Sequence, residues 1–371
     1  MQASKQASNR YAWLDTVRVL AAALVLISHY AYYFNFERLQ VVNNYFAGST
    51  GRIGVCLFFA ISGYLVSNSL VKNNNLLAFY KSKAVRILLP YIAAYILVSA
   101  LFISLAFFRP DFINLTPMTK VLFVGGDYKA LFLGMLPLDI YFYTYLDLKG
   151  YWFIGEWFIG TLVSLYIIAP LVFWLAKKIP FVTMVIFLGI SIAIYNASAN
   201  LPIHGFWFSL VRLPEFYLGT LLYLYKENFT NKKVILTCVG MVIISFIIGV
   251  MQYNNMFIAD RFIPLEPRSF IFSLPLIIVT FYTCEKLNKK YNIAIFNSYS
   301  KISYVFMLIQ HIVINTFMWN FDEHNFSKFG VLVFLIIIFV VTIYLAKKIT
   351  DFYKPIEELI LKKKGSTKNC S

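Results

Sequence analysis

Charge is scarce in this chain of 371 residues: Asp, Glu, Lys and Arg make up 13% of it, and only 17 residues are acidic. With 60% hydrophobic residues and a mean hydropathy of +0.70, that scarcity excludes an ordinary soluble domain. The four cysteines, Cys56, Cys238, Cys284 and Cys370, are too scattered for a disulfide framework or a thiolate metal site. The four histidines and the few carboxylates lack ligand spacing, so no metal is expected. Internal repeats and low-complexity tracts are also missing. No cleaved leader is expected either: the first apolar run is long, is interrupted by Asp15 and Arg18, and precedes no small-residue cleavage site.

What the chain has instead is apolar runs of membrane-spanning length. Stretches of about 20 apolar residues occur at 13–35, 52–71, 85–108, 153–175, 180–197, 205–225, 233–252, 269–284, 300–319 and 329–349. They predict an all-α polytopic membrane bundle of about ten transmembrane helices. A single transmembrane domain is expected over 1–361. Residues 109–151 form an extracytoplasmic or interfacial insertion, whose aromatic 131–145 stretch reads as interfacial helices or a re-entrant piece. Residues 362–371 are a polar cytoplasmic tail.

The net charge of +16 falls on alternate connections: Lys72 to Arg86, Lys177 and Lys178, Lys226 to Lys233, Lys286 to Lys301, and Lys347 onward. That is the positive-inside pattern, with both termini cytoplasmic. The basicity therefore reports orientation first and an anionic cytoplasmic ligand second; a nucleic-acid partner is not expected.

Ionisable groups within apolar spans are costly, roughly 2.5–3.5 kcal/mol each even on lenient scales, and so point to function. Asp15, Arg18 and His29 share the first span. Eleven residues separate Arg18 from His29, three helical turns plus about 20°, so both lie on one stripe about 16 Å apart along the axis, with Asp15 on the same stripe. A neutral imidazole there can take a proton from a hydroxyl attacking a thioester, or accept an acyl group itself.

Other constellations admit two readings. Gly51, Gly54 and Gly63 in the second span allow close helix packing or backbone access to a ligand, and Ser62 adds a hydroxyl. Lys83 and Arg86, three residues apart, either set topology or face phosphate groups together. Arg212 and Glu215, again three apart, form a buried structural pair or a substrate contact. His311 is either hydrogen-bonded structure or substrate-facing. His204 and His324 fall near span ends and read as interfacial.

Taken in order, these pieces resemble the acyltransferase-3 family of integral membrane acyltransferases. The matching residues are Leu14-Asp15 with Arg18 and His29; Phe58 to Leu65, including Ser62; Lys83 and Arg86 before Pro90; Trp157-Phe158-Ile159 leading to Leu165-Tyr166 and Pro170; Arg212-Leu213-Pro214-Glu215-Phe216 with Gly219; Ile302-Ser303-Tyr304 with His311; and 351–355. The resemblance implies His29 as catalytic base or acyl carrier, with Arg18 and Asp15 as its motif partners. It implies Lys83, Arg86 and Ser62 on the donor side, and Glu215, Arg212, Trp157 and His311 toward the acceptor. Many relatives carry a glutamate where this chain has Leu162, and Glu-Lys-Pro where it has Tyr353-Lys354-Pro355, so no carboxylate is carried over from those motifs.

The activity implied is acetyl transfer from cytoplasmic acetyl-CoA to a hydroxyl of an envelope polysaccharide (O-antigen of lipopolysaccharide, capsule or exopolysaccharide) or its lipid-linked precursor. Its implied place is the bacterial inner membrane, among membrane lipid. Peptidoglycan, a glucan or an amino sugar as acceptor, or succinyl as acyl group, keeps the same chemistry. A transporter using Asp15, Arg18 and His29 as a proton or anion pathway, or a polysaccharide exporter, is the non-enzymatic alternative.

Overall fold

The computed structural model describes residues 11–33, 50–72, 75–108, 128–146, 154–201, 205–253, 265–291, 295–318 and 327–362. Its helices are α1 (Ala12–Tyr33), α2 (Thr50–Lys72), α3 (Leu76–Phe108), α4 (Tyr128–Met135), α5 (Asp139–Leu146), α6 (Glu156–Lys178) and α7 (Pro180–Ala197). There follow α8 (Leu213–Leu224), α9 (Lys226–Phe229), α10 (Lys232–Tyr253), α11 (Leu265–Tyr291), α12 (Ile295–Ser300), α13 (Ser303–Met318) and α14 (Lys328–Lys362). Among the described residues there is no strand, and eight helices are long and apolar enough to cross a membrane. A shorter apolar helix, Ser303–Met318, covers most of the span expected at 300–319. The chain is an all-α polytopic membrane protein.

Two compact units divide it, one from 1–72 and 165–303, the other from 73–164 and 304–371. In the first, α1 runs antiparallel to α2, with Trp13 against Tyr64 at one end and Val25 beside Gly54 at the other. In contrast, α8 runs parallel to α2, pairing Cys56 with Glu215, Ala60 with Gly219 and Tyr64 with Tyr223. Glycine makes this crossing possible. A Cβ on Gly63 would run into the Phe216 carbonyl and come within 3.2 Å of Thr220 N; one on Gly219 would strike the Ala60 carbonyl. Gly54 lies against the Ala21 carbonyl, with a would-be Cβ 2.8 Å from Val25. Small residues are what bring helices this close where hydrocarbon supplies no driving force between them.

The crossing encloses a charge pair. Arg212 Nη1 donates to Glu215 Oε1 at 2.7 Å, and both side chains are 0% exposed. The Cys56 thiol donates to the same carboxylate oxygen at 3.3 Å. Phe206 lies between two guanidiniums, with Arg52 4.5 Å and Arg212 4.1 Å from its ring centre.

One expected span differs. Residues 205–225 are not a continuous helix: 3-10 turns at Gly205–Trp207 and Ser209–Arg212 precede α8, which is only 12 residues long. Pro214 lacks an N–H and sits at the helix start, where that loss is harmless. Gly205 meets Ser198 and Tyr195 so closely that no side chain fits, which lets the chain turn tightly there. The helix is tied to its surroundings by Ser191 Oγ donating to Val211 O at 2.8 Å and Tyr217 Oη to Pro180 O at 2.9 Å.

In the second unit α3 packs on α14. Tyr304 Oη donates to Ile87 O at 3.1 Å, within a turn of Pro90, and Tyr91 Oη donates to Gly134 O in α4. The 131–145 stretch overlaps the two short helices α4 and α5. Helix α3 begins at Leu76, so the Lys83–Arg86 cluster rides on the helix, and α14 continues past Pro355 to Lys362. The remainder of the 109–151 insertion, 363–371, His204, His324 and Cys370 lie outside the described residues. Phe181, Ile244 and Val340 are each more than half exposed, as bilayer-facing apolar side chains are.

Gly63→Val is expected to destabilise the first unit at the upper end of ~1–3 kcal/mol, because a backbone carbonyl cannot move aside. Gly189→Ala, where a Cβ meets nothing within 4 Å, is expected to leave thermal stability in detergent unchanged or raise it. Glu215→Gln strips the buried guanidinium of its counter-charge and is expected to cost about 3–5 kcal/mol, more than the paired Arg212→Met/Glu215→Leu replacement. Comparing the thermal midpoints of the three proteins checks this.

Candidate functional site

Arg18 and Asp15 meet on the first turns of α1: Arg18 Nη1 donates to Asp15 Oδ1 at 2.8 Å, with the side chains 29% and 23% exposed. The i,i+3 spacing brings the two together, and the carboxylate orients the guanidinium without enclosing it. His29 follows on the same helix, partly buried between Ser28 and Tyr30, both of which are buried. Helical rise puts it about 16 Å from Arg18, so the two share a stripe without touching.

Ser62 of α2 and Tyr166 of α6 join this stripe from other helices. Their hydroxyls are hydrogen-bonded, and the Tyr166 hydroxyl feels the Arg18 guanidinium electrostatically. Its ring packs on Phe216, 6.1 Å between centres, one residue of the glycine crossing holding another of the site. Ser62 and Tyr166 thereby form a polar pair within electrostatic reach of Arg18, separate from the enclosed Arg212–Glu215 pair. With Arg18 it supplies a guanidinium and two hydroxyls, a donor set suited to a carbonyl oxygen or an anionic group.

Tyr166 belongs to the Leu165-Tyr166 motif, and nothing in the sequence gives it a role. A tyrosine in an apolar span ordinarily packs, and only the fold places it opposite Ser62, 104 positions away. Arg212 and Glu215, expected near the acceptor, are fully enclosed and paired to each other in the first unit.

The remaining expected residues lie in the second unit. Lys83 and Arg86 share a face of α3, Lys83 partly buried with its Nζ 5.8 Å from the Phe79 ring centre, Arg86 exposed. Trp157 sits partly exposed on the first turn of α6 beside Phe158. Next to it Glu156, 2% exposed, accepts from the Ile154 N–H at 2.8 Å and so ties the segment entering the helix to its first turn. His311 is partly buried on α13.

Comparison with known proteins gives three findings. A curated relative, an "O-acetyl transferase" of Shigella phage Sf6, is 37% identical over 81 residues, which make up 20% of this chain and 21% of that protein. The chain thus matches about a fifth of the relative's length. No solved structure matches it. The acyltransferase-3 family, described as an acyltransferase domain, matches residues 11–346, nearly the whole length and every helix that carries the Asp15–Arg18, Ser62 and Tyr166 cluster. The chain belongs to the acyltransferase-3 family.

Proposed function

We propose that this chain is a bacterial inner-membrane O-acetyltransferase that moves acetyl from cytoplasmic acetyl-CoA to a hydroxyl of an envelope polysaccharide or its lipid-linked precursor. The observation that carries the reading is the stripe on α1, where a carboxylate-held Arg18 is followed by His29 about 16 Å further along one face. Acyl transfer needs a base for the attacking hydroxyl and a donor array for the carbonyl oxygen on which charge develops. His29 is the base, and the Arg18, Ser62 and Tyr166 cluster flanks the thioester arm. Membership of the acyltransferase-3 family and the likeness to a phage O-acetyl transferase support the same chemistry.

In the direct route the His29 imidazole takes the proton of the acceptor hydroxyl while its oxygen bonds to the thioester carbonyl carbon. The carbon–sulfur bond then breaks, and the leaving thiolate recovers the proton from the imidazolium. In the covalent route the imidazole itself holds the acetyl group between the two half-reactions. Lys83 and Arg86 on α3 are the basic pair that the family pattern sets on the donor side. The lysine-rich helix ends face the cytoplasm under the positive-inside rule, which puts the anionic donor and its binding cations on one side.

His29→Ala is expected to lower transfer by about 10²–10⁴-fold without lowering the thermal midpoint. Release of free thiol and ester acetate on isolated polysaccharide measure it; wild-type turnover in the variant would remove His29 from the chemistry. Tyr166→Phe deletes one hydroxyl of the cluster and is expected to lower kcat about tenfold, the equivalent of one hydrogen bond of ~1.4 kcal/mol.

A further inference from the structure

The lysine-rich end of the first unit holds a cavity of about 450 Å³. Its floor is aromatic. Tyr64 stands edge-on to Trp13 at 5.5 Å and to Tyr223 at 5.2 Å between ring centres, and Tyr11 lies 6.2 Å away. The hydroxyls of Tyr11 and Tyr223 both donate to Asn68 Oδ1, at 3.1 and 3.4 Å, so the rings are fixed before any ligand arrives.

Its rim is cationic. Lys226 Nζ and Lys289 Nζ both lie against Glu285 Oε1, at 2.7 and 2.8 Å. Two ammonium groups on one carboxylate leave a net positive charge, and Lys72 Nζ, 6.0 Å from the Tyr11 ring centre, adds to it. Lys289 is 70% exposed and Lys226 41%, so both present their remaining donors outward. Asn288 also lines the cavity, and its Oδ1 is buried and accepts no hydrogen bond among the described residues.

A ligand that satisfies all three features carries a flat ring for the aromatic floor, an N–H donor for Asn288 and phosphate for the lysines. An aminopurine nucleotide is that ligand; a phospholipid headgroup offers the phosphate but no ring to stack. We infer that this cup binds the phosphorylated adenine end of the CoA donor, an inference that rests on the acyl-transfer reading above. Continuity favours it. Trp13 in the cup is five residues from Arg18 on α1, about 7.5 Å of helix, and Tyr64 is two residues from Ser62 on α2. A donor anchored here has its thioester arm directed along α1.

The test uses the full chain in detergent or nanodiscs, with 3′,5′-ADP as binding probe and acetyl-CoA and acetyl-pantetheine as donors. Lys289→Gln, at a largely exposed position, is expected to weaken 3′,5′-ADP about tenfold and raise KM for acetyl-CoA about tenfold. Its kcat, and its KM for acetyl-pantetheine, which has no nucleotide, stay as in wild type. Lys289→Arg is expected to restore binding, and Tyr223→Leu to weaken 3′,5′-ADP with Lys289 intact. Unchanged 3′,5′-ADP affinity in both Lys289→Gln and Tyr223→Leu, with acetyl-CoA turnover retained, overturns the cup and leaves the acyl-transfer reading standing. Lysine-dependent binding of anionic-lipid nanodiscs, with no binding of 3′,5′-ADP, assigns the cup to a headgroup and overturns the nucleotide. Absence of acetyl-CoA turnover by wild type, with 3′,5′-ADP still bound in a Lys289-dependent way, instead overturns the acetyl-donor reading and keeps the nucleotide site.

Discussion

The contact between glycine and backbone carbonyl at the α2–α8 crossing is the constraint on which the first unit depends. Gly63 faces the Phe216 carbonyl and Gly219 faces the Ala60 carbonyl, each helix giving the other the space a side chain would fill. Hydrocarbon gives no reward for hiding one apolar helix against another, so close van der Waals approach and Cα–H···O contact carry the association. The polar residues beside the crossing are positioned by this approach. Four residues before Gly219 is Glu215; one residue before Gly63 is Ser62; and Phe216, whose carbonyl receives Gly63, carries the Tyr166 ring. A crossing one methyl group wider would separate the helix faces that hold the Cys56–Glu215 contact.

Two i,i+3 charge pairs of the first unit are treated in two ways. Arg212 and Glu215 are fully enclosed, bonded at 2.7 Å, and joined by the Cys56 thiol. Asp15 and Arg18 have the same i,i+3 spacing and a similar bond length, yet both remain partly exposed. The same i,i+3 spacing thus serves two ends. The enclosed pair is neutralised where it stands and specifies how α8 meets α2, whereas the open pair keeps guanidinium surface available to an approaching group.

That difference marks where reading the sequence stops. The i,i+3 pairs, the α1 stripe, the helical class and the lysine-bearing connections are local patterns, and they follow from 100° per residue and a run of apolar side chains. Lys72, Lys177, Lys226 and the Lys286 to Lys290 group do gather at one end of the first unit, as Trp13–Tyr64, Tyr225–Ala176 and Lys226–Glu285 contacts require. Hydropathy misjudged α3, because Lys81, Lys83 and Arg86 lower a window average while leaving backbone hydrogen bonding untouched. It misjudged 205–225 for the opposite reason: the residues are apolar, but Gly205 and Pro214 break the helix that polarity would allow. Pairings across long separations, such as Ser62 with Tyr166 or Lys226 with Glu285 at 59 positions, have no local signature at all.

Helix α1 orders the proposed reaction by depth. Trp13 stands at the lysine-rich end, Arg18 a turn and a half further in, and His29 sixteen residues from Trp13, about 24 Å along the axis. An anionic donor that stays at the charged end never has to bring its phosphates into hydrocarbon, where each unpaired charge is costly. Only the neutral thioester arm enters, past a guanidinium and two hydroxyls that suit its amides and carbonyl. In the proposed reaction the acceptor hydroxyl needs a base at the far end of the same path, and an imidazole suits it because its neutral form is the one that takes a proton. A lysine or arginine in its place would arrive charged and unable to take a proton. Under the proposed reaction, the roughly 16 Å between Arg18 and His29 carries the acyl group across about half of the ~30 Å apolar layer while both of its large polar carriers remain outside.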